Sequence, residues 1–151
     1  MAKSTKEIPE AYHDILESKC FPHVATIRSD GMISNNPICL LWDGKHVRFS
    51  TTKGRVKYHN LVADDRIALS IPDPLNIWRY IEIRGRVTLE DDVDRSFINQ
   101  IARKYMDQNE YPFDRPGDER VTVTVMPEQV SAVGMNPEYN EGKIPEGWTK
   151  G

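Results

Sequence analysis

Residues 49–66 read FSTTKGRVKYHNLVADDR, and the charges in this run are ordered against the needs of a helix. Three hydroxyls, Ser50, Thr51 and Thr52, precede Lys53, Gly54, Arg55 and Lys57, and the run closes on Asp64 and Asp65. A helix is partially positive at its start and partially negative at its end, so each misplaced charge costs about 0.3–1 kcal/mol. A bound anion would reverse that sign at the start. Free first-turn amides and the dipole attract it, Arg55 and Lys57 reach it from two sides, and the hydroxyls donate from the end of the preceding strand. The spacing lacks the glycine pattern of a Walker loop. The plainer reading is a solvated charge run.

Other chemistry-bearing residues are arranged less suggestively. The four histidines, His13, His23, His46 and His59, have no metal-ligand spacing, and no Ser-His-Asp or paired-carboxylate arrangement follows from their order. No metal is expected and no side chain is assigned as catalytic. An anion seat beside an apolar wall fits chemistry carried by a bound cofactor, the protein supplying orientation and a dry environment. Cys20 and Cys39 match neither a CxxC nor a zinc pattern and are expected as reduced thiols. The net charge of -3 argues against nucleic acid as a partner. No signal peptide opens the chain and no run approaches the roughly 20 apolar residues that span a bilayer, so a cytoplasmic protein without membrane contact is expected.

The elements that must position the seat follow from periodicity. Residues 9–19 suit a short capping helix with Ala11, Ile15, Tyr12 and Leu16 inward. Residues 23–28, 33–42 and 46–51 read as a three-stranded meander, turned at Asp30-Gly31 and Asp43-Gly44. The helix of residues 54–64 would lay Tyr58, Leu61 and Val62 on the sheet and turn Asn60 away. A fourth strand covers residues 66–72, and a fifth alternates over residues 77–91. On the fifth, Ile77, Arg79, Ile81, Ile83, Gly85, Val87 and Leu89 share the core face. Trp78 and Tyr80 begin the polar face as a dimer contact, a ligand wall or satellite packing. An amphipathic helix covers residues 92–107, with Val93, Phe97, Ile101 and Tyr105 or Ala102 on one face. Residues 120–134 give a sixth strand and a short seventh, interrupted at Pro127. Pro37 inside the second strand demands an edge, a bulge or an unpaired stretch, where Asn35 and Asn36 offer polar groups. Antiparallel hairpins with inserted helices favour a closed or split β-barrel, a mainly β fold with flanking helices. One domain is expected over residues 1–135, with a tail over residues 136–151 in which Tyr139 and Trp148 could dock.

The stretches HVATIRSDG, NNPICLLWDGKHVRFST, RVKYHNL, DDRIALSI and IEIRGRV follow one another as in the pyridoxamine 5'-phosphate oxidase-like split β-barrel (FMN-binding-like) proteins. The chain most resembles their F420-dependent (deazaflavin) branch, through the hydroxyl-rich strand end followed by Arg55, Lys57, Asn60 and Leu61. The resemblance implies a homodimer with cofactor sites at its interface. Ser50, Thr51, Arg55 and Lys57 match the phosphate-holding positions; Val24, Ala25, Thr26, Asn36, Pro37 and Ile38 match the wall beside the ring system. The start of the fifth strand, with Trp78 and Tyr80, would reach the partner's cofactor. The implied activity is hydride transfer from coenzyme F420 to a small unsaturated or conjugated acceptor, the proton coming from solvent or a residue such as Tyr80. The alternatives are FMN as cofactor of an oxidase or reductase, a non-catalytic cofactor or tetrapyrrole binder, and a dimeric interaction protein with a vestigial site.

Overall fold

The computed structural model describes residues 5–134; the expected tail, with Tyr139 and Trp148, lies outside the described residues. A short 3-10 turn, Glu10–Tyr12, leads into α1 (His13–Glu17). There follow β1 (His23–Ile27), β2 (Ile33–Pro37), β3 (Leu40–Trp42), β4 (Val47–Thr52), α2 (Val56–Ala63), β5 (Arg66–Asp73), β6 (Asn76–Asp91), α3 (Ser96–Met106) and β7 (Arg120–Val133). The strands form one antiparallel sheet in the order β2-β1-β5-β6-β7-β4-β3. Its two edge strands are joined by Ile38 and Cys39 alone. That link spans at most about 11 Å, whereas the edges of a flat seven-stranded sheet lie about 29 Å apart. The sheet must therefore roll until its edges meet, which makes it a split barrel. Val24, Leu40, Phe49, Leu69, Ile81, Ile83 and Val123 fill the interior, and Tyr12, Ile15 and Leu16 from the N-terminal helix cap it.

The expected second strand is two strands on opposite edges. Its break is held by groups from distant sequence: Ile38 N donates to Pro22 O at 2.9 Å, and Leu40 N donates to Tyr105 Oη at 3.2 Å. Tyr105 Oη donates in turn to Cys20 O at 2.6 Å, and Lys104 Nζ donates to Leu16 O and Leu40 O at 2.8 and 3.0 Å. The end of α3 thus satisfies the backbone that a continuous ladder would have paired. In consequence β2 and β4 do not pair, and residues 23–51 are not a contiguous meander. Cys20 and Cys39 flank this junction as free thiols, and burial raises the pKa of both.

The expected interruption at Pro127 is absent, because β7 runs through it with a bulge. Arg84 pairs with Gln129 and Gly85 with Pro127, so Glu128 is extra. A Cβ on Gly85 would stand 2.2 Å from Met126 O, which leaves room only for glycine. Several expected facings also change. Ala11 is exposed, Val62, Ile77 and Val93 are largely exposed, and Val93 precedes α3, whose buried residues are Ile98, Ile101 and Ala102. Asn60, expected to turn outward, is buried because its Nδ2 donates to Thr26 Oγ1 on β1 at 3.1 Å. Arg79 does face inward, where Asp73 and Asp14 hold it at 3.1 and 2.7 Å and its guanidinium lies 4.9 Å from the Tyr12 ring. That network ties α1 to β6 and compensates the buried charge.

Candidate functional site

Strand β4 delivers the hydroxyls and α2 delivers the cations. Alternation along β4 divides the hydroxyls between its faces: Thr51 shares the inner face with Phe49, while Ser50 and Thr52 take the outer face. Arg55 is the N-cap residue of α2, extended at φ -88 and ψ 148, and no side chain among the described residues caps the helix. Its first turn holds no acidic residue. The dipole that Arg55 and Lys57 oppose is left for something else to satisfy.

These elements bound a cavity of about 200 Å³. Pro37, Ile38 and Cys39 from the β2–β3 junction line one part of it, Ser50, Thr51, Arg55 and Lys57 another, and Ile98, Ile101, Met106, Tyr111 and Arg120 the rest. Among the described residues, neither Arg55 nor Lys57 has an ion-pair partner. Burial pushes the Lys57 ammonium down from 10.5 to about 8, and the neighbouring Arg55 charge adds to that shift. Its Nζ lies 5.9 Å from the centroid of the Phe49 ring. The Thr51 side chain is buried, and its hydroxyl has no hydrogen-bond partner among the described residues. Two uncompensated cations and an orphaned hydroxyl around one small cavity fit a phosphate, which accepts hydrogen bonds and carries the missing charge.

The remaining sequence-predicted residues lie elsewhere. Ala25 and Thr26 line a larger cavity of about 550 Å³ against β5, β6 and β7, together with Ile33, Arg66, Arg84 and Arg86. The Thr26 hydroxyl already accepts from Asn60. Val24 is fully buried in the core, and Asn36 on β2 is half-buried and lines neither cavity. Trp78 and Tyr80 also line neither; they sit at the start of β6, beside the exposed Leu75 and Ile77 of the hairpin tip.

The acids at the far end of the run have local partners. Asp64 accepts two hydrogen bonds from the Arg66 guanidinium at 2.9 and 2.6 Å, which lowers its pKa to about 2. Asp65 pairs with Arg86 across the sheet at 2.6 Å. Sequence reasoning missed Arg120, a buried arginine opposite Thr52 in the β4–β7 register. Only the pairing of β4 with a strand 70 residues on brings it to the cavity, and no local pattern marks that.

Residues 8–134 match the family model described as pyridoxamine 5'-phosphate oxidase. No curated protein matches the chain. Among solved structures, an F420 reductase is 35% identical over 82% of this chain and 98% of its own, with a TM-score of 0.72. A conserved hypothetical protein from Mycobacterium tuberculosis is 18% identical over 96% of this chain and 94% of its own, with a TM-score of 0.68. A pyridoxamine 5'-phosphate oxidase-related, FMN binding protein from Nostoc punctiforme is 16% identical over 80% and 78%, with a TM-score of 0.55. The last two share the fold. No helix among the described residues is long and apolar enough to cross a membrane.

Proposed function

The chain belongs to the pyridoxamine 5'-phosphate oxidase family, and from that premise we propose that it is an oxidoreductase which holds coenzyme F420 by its phosphate and reduces a small unsaturated or conjugated acceptor. The observation that carries this reading is the small cavity, where, among the described residues, Arg55 and Lys57 lack a carboxylate and Thr51 lacks a hydrogen-bond partner. Arg55 and Lys57 would neutralise the phosphate, and Ser50 and Thr51 would donate to it. Ile38, Ile98 and Ile101 give the seat an apolar flank that excludes water and strengthens those contacts. When bound, the deazaflavin supplies the two-electron hydride chemistry.

Preference for the deazaflavin over FMN rests on the F420 reductase, which is 35% identical over nearly its whole length. FMN also carries a phosphate, so the cradle alone serves either cofactor. The reading includes a homodimer, for which the exposed Leu75, Ile77 and Trp78 offer an apolar contact. Fluorescence titration of the purified protein with coenzyme F420 and, separately, FMN tests the choice. Micromolar or tighter binding of F420, with turnover of the reduced coenzyme on candidate acceptors, is expected. Tight FMN binding with none of F420 refutes the deazaflavin reading, and binding without turnover leaves a carrier in place of an enzyme.

A further inference from the structure

Arg120 opens β7 with its side chain only 7% exposed. Its Nε and Nη2 both donate to Asp114 Oδ1, at 2.9 and 2.6 Å. Its Nη1 points to Ser50 Oγ at 3.4 Å, and the Tyr111 ring centroid lies 4.7 Å from its guanidinium carbon. The other Asp114 oxygen, Oδ2, pairs with Arg95 at 2.5 Å. Asp114, 5% exposed, is therefore shared by two guanidiniums, and the trio keeps a net positive charge. Of the five N–H groups of Arg120, Asp114 takes one on Nε and one on Nη2, one on Nη1 makes only the long contact to Ser50, and the Tyr111 side chain lies within reach of the guanidinium.

We infer that Arg120 is a third anion-binding residue of the cavity, and that Asp114 is the positioning residue that aims it. This rests on the phosphate-seat reading of the cavity. A guanidinium held on one side by a carboxylate and on another by an aromatic ring loses little further freedom when an anion arrives. Nη1 is the nitrogen beside Ser50 on the cavity wall and makes only that long contact, whereas Nε and Nη2 both donate to Asp114. Asp114 belongs to the connection between α3 and β7, which also supplies Tyr111 to the cavity wall. One ionic contact thus fixes both the arginine and the loop beside it.

The sign of one substitution separates this role from simple electrostatics. Asp114→Asn removes a negative charge near an anion site, so a bystander carboxylate would make anion binding tighter. If Asp114 aims Arg120, binding weakens instead. Pyrophosphate is the probe, titrated calorimetrically at pH 7 into the full chain and its variants, each verified as folded by circular dichroism. Arg120→Gln is expected to weaken binding about tenfold or more, the loss of a charge-assisted hydrogen bond. Asp114→Asn should weaken it several-fold. Arg120→Lys, which keeps the charge but loses the fork, should fall between Arg120→Gln and the unaltered chain, and it carries the positioning test if Asp114→Asn does not fold. Unchanged affinity in Arg120→Gln overturns the third cation. Tighter binding in Asp114→Asn, or full affinity in Arg120→Lys, overturns the positioning role. Absence of pyrophosphate binding to the unaltered chain rejects the seat and this inference together. Pyrophosphate binding with the expected variant pattern, but no uptake of F420 or FMN, upholds this inference and rejects the proposed cofactor chemistry.

Discussion

Two cavities of this barrel, one against β5 and β6 and one at the junction of β4 and α2, differ in size in one direction and in electrostatic need in the other. The larger, about 550 Å³, carries Arg66, Arg84 and Arg86, and each has a carboxylate: Asp64, Glu82, and Asp65 with Glu128. The smaller, about 200 Å³, carries Arg55 and Lys57 with no carboxylate among the described residues, beside a threonine hydroxyl that has no hydrogen-bond partner among them. Charge that is already matched gains little from a ligand, whereas unmatched, partly desolvated charge gains a great deal. On the proposed reading, uncompensated charge, more than volume, marks the ligand seat.

The sharpest way to break this contrast is charge reversal in each cavity. Arg55→Glu together with Lys57→Glu should lower F420 affinity by about 100-fold or more, with an unchanged circular dichroism spectrum. Arg66→Glu should leave affinity within about twofold; equal losses at both places would erase the distinction. Next in size is the pH dependence. Lys57 has a folded-state pKa near 8, below its ordinary 10.5, so it loses its charge as pH rises through 8. Pyrophosphate affinity should begin to fall there, by up to about tenfold at high pH, and the fall should vanish in Lys57→Arg. The linked stability has the opposite sense: the folded state releases the proton before the unfolded chain does, so stability contributed by this group rises between pH 8 and 10.5.

Gly85 and Asn60 sharpen the comparison from the scaffold side. Gly85→Ala at the larger cavity drives a Cβ into the bulge backbone and should cost about 1–3 kcal/mol in urea denaturation, while pyrophosphate binding to the folded fraction stays the same. Asn60→Ala removes the bond from α2 to Thr26 and should cost about 1–2 kcal/mol. Because α2 carries the seat, a twofold to threefold loss of pyrophosphate affinity should accompany it. The smallest effect is expected at Arg86→Gln, whose exposed ion pairs are screened by water; neither affinity nor the denaturation midpoint should move measurably.

Much of the barrel was legible wherever the deciding interaction is local. The alternation of β6 follows from Ile81, Ile83 and Val87 on one face, and the turns at Asp30 and Asp43 from their Asp-Gly pairs. The placement of Arg55 and Lys57 beside Ser50 and Thr51 follows from a strand running directly into a helix. Other features rest on partners far along the chain. The break at Ile38 and Cys39 depends on Tyr105 and Lys104, about 220 Å away along a fully extended chain of some 65 residues but adjacent in space. The inward turn of Asn60 depends on Thr26, and the continuity of β7 across Pro127 depends on Gly85 opposite it. Arg120 was invisible for the same reason, since its register opposite Thr52 exists only in the folded sheet.

The central claim is that the ligand's phosphate sits at the junction of β4 and α2. Amide chemical-shift mapping of the ¹⁵N-labelled protein during titration with coenzyme F420 tests it residue by residue. The largest shifts should fall on Ser50, Thr51, Arg55 and Lys57. Shifts confined to Ala25, Thr26, Arg66 and Ala68 of the larger cavity, with residues 50–57 unmoved, would contradict it.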